Sequence, residues 1–127
     1  MKKNPVIGIT AEWNPFHSGH AVMIKEIRKS FPDARIISAM SGSFVQRGEP
    51  AIFDKWSRAS WSISSGVDAV FEYPALYVLQ SADSFSENAV HLLHDLGCTH
   101  IAFSTESLDK NQLFDIARWM QTEDYTA

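Results

Sequence analysis

Apolar residues fall along the chain in two alternating patterns. The near-continuous run Pro5-Val6-Ile7-Gly8-Ile9-Thr10-Ala11 predicts a buried strand over Val6–Glu12. Ala21, Ile24, Ile27, Arg28 and Phe31 then recur at helical spacing, predicting a helix from Ser18 to Ser30 that Phe31-Pro32-Asp33 stops. Ala34–Met40 reads as a second strand, followed by a long loop from Ser41 to about Phe53 with two glycines and Pro50. A second helix follows, from Asp54 as N-cap to about Ser65, and Gly66 closes it. A third strand, Val67–Tyr73, ends at Pro74. From Ser81 or Ala82 to Leu96 the chain is predicted helical, with Ala89, Leu92, Leu93 and Leu96 on one face and Gly97 at its close. A fourth strand covers His100–Phe103, and a last helix Lys110–Gln121, with Leu113, Ile116, Ala117 and Met120 inward.

Strand and helix thus alternate four times. That order predicts an α/β protein with a Rossmann-like, doubly wound parallel sheet, strand order 3-2-1-4 and right-handed crossovers. The strands lack clean alternation, as expected when helices cover both faces. The helices after strands one and two are expected on one face and the later ones on the other. Trp56, Trp61 and Trp119 are expected to pack against the sheet.

The 127 residues fit one domain, 1–127. The chain ends soon after the last helix, early for a doubly wound enzyme. The expectation is either a fragment lacking a C-terminal part or a short relative of a longer protein. A net charge of −4 argues against a strong grip on nucleic acid by this segment alone. The single cysteine, Cys98, forbids an intramolecular disulfide and reads as a structural thiol. The apolar run after Met1-Lys2-Lys3 is too short for a signal peptide, and no stretch approaches a membrane span. A cytoplasmic protein is expected.

The candidate chemistry lies in Glu12-Trp13-Asn14-Pro15-Phe16-His17-Ser18-Gly19-His20. In an open parallel sheet, ligands bind beyond the carboxyl ends of the strands. The helix start there offers unpaired N–H groups and a partial positive charge, which suits phosphate. His17 and His20 would add side-chain donors, and Gly19 would let a polyphosphate approach the backbone. No Gly-Lys-Ser/Thr run exists, so this is not a Walker loop. Glu12 could meet a hydroxyl, an amine or a metal, or simply face the helix dipole. Trp13 could lie beside the nucleotide.

The loop opening at Ser41 and Gly42, and Ser104-Thr105-Glu106-Ser107 after strand four, converge on the same edge by topology. Arg47, Lys55 and Arg58 could neutralise a triphosphate and its departing pyrophosphate, or form a solvated, salt-bridged helix face. His91 and His94 lack a third ligand at fitting spacing, so no protein-held metal is expected.

Glu12–His20 resembles the His-x-Gly-His element of the HIGH-type nucleotidyltransferase superfamily. Together with Met40–Trp56, Gly66–Pro74 and Gln80-Ser81-Ala82, it resembles more narrowly the bacterial tRNA(Met) cytidine acetate ligase family. The resemblance implies a nucleotidyltransferase fold and an ATP-dependent ligase. Such an enzyme activates acetate as acetyl-adenylate and acetylates N4 of the wobble cytidine of elongator tRNA(Met). ATP, with Mg²⁺, would lie along Thr10, Ala11, Glu12, Trp13, Asn14, Phe16, His17, Gly19, His20 and Met23. His17 and His20 would stabilise the phosphorus under attack, and Lys55 and Arg58 the pyrophosphate. Family members are longer and have a glycine near the adenosine where this chain has Ser104. The rival readings are another adenylyltransferase of the superfamily and a catalytically silent nucleotide-binding module.

Overall fold

The computed structural model describes residues 4–105 and 109–122. Among these residues there are four strands, β1 (Val6–Ala11), β2 (Arg35–Ser41), β3 (Ala69–Tyr73) and β4 (His100–Ile101). Five helices accompany them: α1 (Ser18–Ser30), α2 (Lys55–Ser64), α3 (Ala75–Val78), α4 (Ala82–Asp95) and α5 (Lys110–Trp119). The sheet is wholly parallel in the order β3-β2-β1-β4, as predicted. The register pairs Ala11 with Met40 and Ser41 with Tyr73, so the carboxyl ends of β1, β2 and β3 form one edge.

Two apolar layers cover the two faces. Ile24 of α1 joins Ile9, Ile36, Met40, Trp13 and Val67 on one face, with Ala59 of α2 against them. Val78 of α3 and Ala89 and Leu93 of α4 join Ala39 and Tyr73 on the other. Gly8 lets α4 approach β1 closely. A Cβ there would lie 2.7 Å from the Cys98 sulfur and 2.9 Å from Leu93. Gly66 and Gly97 end their helices at φ +115° and +82°, in the left-handed region that favours glycine.

The structure departs from the sequence-based expectation in four places. The short helix α3 follows Pro74 directly, with only Val78 buried. Strand β4 holds two residues, not four. Helix α5 buries no residue: Ile116, Ala117 and Met120, expected inward, are exposed, and Leu113 is half-buried. Trp56, Trp61 and Trp119 are also exposed. The inward face of α2 is instead formed by Arg58, Ala59 and Ser62. No helix among the described residues is long and apolar enough to cross a membrane.

Candidate functional site

The turn from β1 into α1 is built on an unusual backbone. Trp13 has φ +43°, in the left-handed region, and the Asn14–Pro15 peptide is cis. For a bulky residue that φ costs about 1–3 kcal/mol, tolerable only where packing over-determines it. Trp13 is 2% exposed within the core cluster, and its ring meets Phe16 edge-on at 5.4 Å.

Past this turn, His17 is the N-cap of α1 and His20 its third residue. The Gly19 N–H donates to His17 Nδ1 at 3.1 Å, and the His17 N–H donates to His20 Nδ1 at 3.2 Å. The two residues thus form a reciprocal capping box. Their rings stack at 3.7 Å between centroids, tilted by 24°. Because each Nδ1 accepts, each neutral ring carries its proton on Nε2, leaving two N–H donors beside the helix start. Burial, and then the charge of His17, pushes the His20 pKa below that of a free histidine. Protonating Nδ1 would also cost His20 its cap bond. Gly19 serves the pair directly, since a Cβ would sit 3.0 Å from the His17 ring.

The loop after β2 is tied to this turn at two points. The Gln46 N–H donates to the Glu12 carboxylate at 2.6 Å, and the Ile52 N–H to the Asn14 side-chain oxygen at 2.7 Å. Glu12 is therefore a tether for the loop. Beneath it lies Arg58, fully buried. Its guanidinium donates to the carbonyls of Glu12 (2.6 Å), Phe53 (3.0 Å), Ser41 (3.1 Å) and Gly42. Burial pushes the Arg58 pKa down, opposed by the nearby carboxylates of Asp54, Glu12 and Glu72. Lys55 is held by Glu72 at 2.5 Å. A Cβ on Gly42 would run into that same Glu72 carboxylate.

These elements frame a cleft of about 530 Å³ at the carboxyl edge of the sheet. Of the residues singled out in the sequence, Thr10, Ala11, Glu12, Trp13, Asn14, His17, His20, Met23, Arg47 and Ser104 line it. Phe16, Gly19, Ser41, Gly42, Lys55 and Arg58 do not. Arg47 is the one lysine or arginine among the described lining residues. The lining also takes in Ile9, Pro15, Val45, Glu49, Ala102 and Phe103. Ala102 and Phe103 could have been anticipated from the strand order, which puts the end of β4 next to β1. Val45 and Glu49 belong to the same loop as Arg47. Glu106 and Ser107 lie outside the described residues. Among the described residues, no group of three or more His, Cys, Asp or Glu side chains is placed to hold a metal ion.

Residues 4–127 match the sequence model of the family described as HIGH Nucleotidyl Transferase. The chain is 50% identical over 101 residues to the tRNA(Met) cytidine acetate ligase of Ligilactobacillus salivarius, an alignment covering 80% of this chain and 27% of that protein. It is 47% identical over 119 residues to the tRNA(Met) cytidine acetate ligase of Lactococcus lactis subsp. cremoris strain MG1363, covering 93% of this chain and 30% of that one. The fold matches the crystal structure of Thermotoga maritima TmcAL bound with alpha-thio ATP, with TM-score 0.84 and 38% identity over 96% of this chain and 30% of that chain. The apo form of the same protein matches with TM-score 0.83. The chain thus spans less than a third of the length of these relatives.

Proposed function

The chain belongs to the HIGH nucleotidyl transferase family, and from that premise we propose that its cleft binds ATP as the nucleotide site of a tRNA(Met) cytidine acetate ligase. The observation that carries this reading is the stacked His17–His20 pair, whose Nδ1 atoms are both taken by backbone N–H groups. The two Nε2–H groups then face a bound anion without any change of protonation, next to the positive end of α1. Arg47 supplies the cationic charge of the cleft. The alpha-thio ATP held by the Thermotoga maritima relative supports a nucleotide as the occupant.

In the proposed reaction, a carboxylate oxygen of acetate attacks the α-phosphorus of ATP. The bond to the bridging oxygen breaks, and pyrophosphate leaves with its electron pair. His17 and His20 donate to the oxygens on which charge accumulates, and Arg47 holds the departing pyrophosphate. The site contributes position and charge, with no covalent intermediate on the protein. The N4 amine of the tRNA cytidine then attacks the acetyl carbon of the adenylate, the carbon–oxygen bond to the phosphate breaks, AMP leaves with its electron pair, and the amine proton passes to solvent. Mg²⁺ would arrive with ATP, bound chiefly by its phosphates.

The test has two arms. Calorimetry should show ATP binding that Arg47→Ala weakens about tenfold or more, the worth of one charge-assisted hydrogen bond. ATP–pyrophosphate exchange should depend on acetate and not on phosphorylated acceptors. Exchange driven by a phosphorylated small molecule would transfer the reading to another adenylyltransferase, and absence of ATP binding would end it.

A further inference from the structure

We propose that Arg58 is the positioning residue of the phosphate site: buried behind the cleft, it fixes the β1–α1 turn and the loop after β2 relative to each other. The proposal rests on the reading of the cleft as an ATP site and adds how its donors are held.

A guanidinium presents its N–H groups in a rigid planar fork, so bonds to several carbonyls fix their relative places. Here the carbonyls come from three segments: Glu12 at the end of β1, Ser41 and Gly42 at the end of β2, and Phe53 just before α2. Carbonyls at the ends of parallel strands have no further ladder partner, and buried ones must find a donor. Arg58 supplies it at the point where the chain leaves the sheet to make the site. Among the described residues no carboxylate hydrogen-bonds the guanidinium, so its work here is to bind main chain.

Two routes lead from Arg58 into the cleft. Through the Glu12 carbonyl it holds the residue that precedes Trp13, and hence the left-handed turn that delivers His17 and His20. Through the same residue's carboxylate, which accepts from the Gln46 N–H, it fixes the residue next to Arg47. Histidine pair and arginine thus share one buried anchor. A lysine at 58 would keep the charge but could not reach carbonyls of all three segments from one ammonium.

The experiment compares Arg58→Lys and Arg58→Met with the unaltered chain. Amide hydrogen exchange on the ligand-free proteins reads positioning without nucleotide. Exchange at Gly19, Gln46 and Ile52 should accelerate about tenfold or more, while Ala89 and Leu93 in α4 keep their rates. ATP affinity should fall about tenfold in Arg58→Lys, the equivalent of one charge-assisted hydrogen bond. Adenosine affinity should change less than twofold, because only the phosphate donors are displaced. Unchanged exchange at Gly19 and Gln46 would overturn the proposal. So would equal losses for ATP and adenosine, or failure of both variants to fold, either of which would make Arg58 a general stabiliser. If the unaltered chain binds no ATP, the functional reading fails, and the exchange data still decide the role of Arg58.

Discussion

Replacing His20 separates two tasks that one imidazole performs. Its Nδ1 accepts from the His17 N–H at 3.2 Å, half of the capping box of α1. Its Nε2–H is assigned to phosphate. His20→Ala removes both. Loss of a helix cap costs about 1 kcal/mol, or roughly 4 °C in melting temperature for a domain of this size. Loss of a donor to a charged phosphate costs about 1.5–3 kcal/mol, or ~10–150-fold in ATP affinity. His20→Asn should divide the two effects, because the Asn side-chain oxygen sits one bond beyond Cγ, where Nδ1 lies, and nothing replaces Nε2. Thermal melts followed by circular dichroism should place Asn near the unaltered protein and Ala about 4 °C lower. Calorimetric titration with ATP should show similar, large losses for both. An Asn variant that binds ATP normally would remove His20 from the phosphate site. An Asn variant as unstable as Ala would remove the cap.

The burial-lowered pKa of His20 makes stability depend on pH. The unfolded chain takes up the proton first, so stability should fall as pH drops from about 6.5 through the lower folded value. Urea midpoints between pH 8 and 5 should show this fall in the unaltered chain and a smaller one in His20→Asn; parallel curves would refute it. Gly8→Ala should cost about 1–3 kcal/mol by overpacking, since its Cβ would press on Cys98 and the fully buried Leu93; an unchanged melting temperature would contradict that contact. Elongator tRNA(Met) should bind this chain alone only in the non-specific range of about 10⁻⁴–10⁻⁶ M at physiological salt. The chain carries −4, with Lys55 paired to Glu72, Arg28 to Asp68, and Arg58 buried. Nanomolar binding in an anisotropy titration at two salt concentrations would show that a recognition surface lies within these residues.

The sheet was legible because its strands are near-continuous apolar runs punctuated by Pro74, Gly66 and Gly97, each of which acts locally. The strand order, and the division of α1 and α2 to one face and α3 and α4 to the other, followed from topology. Helix α2 lies where expected, but its inward face differs for a physical reason. Tryptophans normally turn inward, yet Trp56 and Trp61 face outward while Arg58 and Ser62, one turn apart, face the sheet. The strand-end carbonyls beneath α2 need a donor more than they need apolar cover, and periodicity cannot register that demand. In α5 the apolar residues do recur at helical spacing, yet the helix buries none of them fully, and Leu113 is half-buried. The cations illustrate the same limit. Arg47, Lys55 and Arg58 were equivalent as charges in the sequence. Their partners distinguish them: Lys55 meets Glu72, Arg58 meets main chain, and Arg47 lines the cleft.

The local order His17-Ser18-Gly19-His20 follows from asking one helix start to cap itself and still present donors to an anion. A usual capping box sets Ser or Thr at the N-cap and Glu or Gln three residues on. Glutamate there would complete the cap, but it would bring negative charge to the end of α1 where phosphate is to bind. Imidazole avoids the conflict, because one nitrogen accepts from the backbone while the other remains a neutral donor. The spacing of three is fixed by the box: His20 lies where its Nδ1 can reach the His17 N–H. Glycine at 19 follows in turn, since the His17 ring folds back to accept from the Gly19 N–H and leaves 3.0 Å for a Cβ. Ser18 has no such constraint, and its side chain is exposed. Two histidines and the glycine between them are therefore one device, in which the bonds that hold the helix start also orient the groups assigned to ATP.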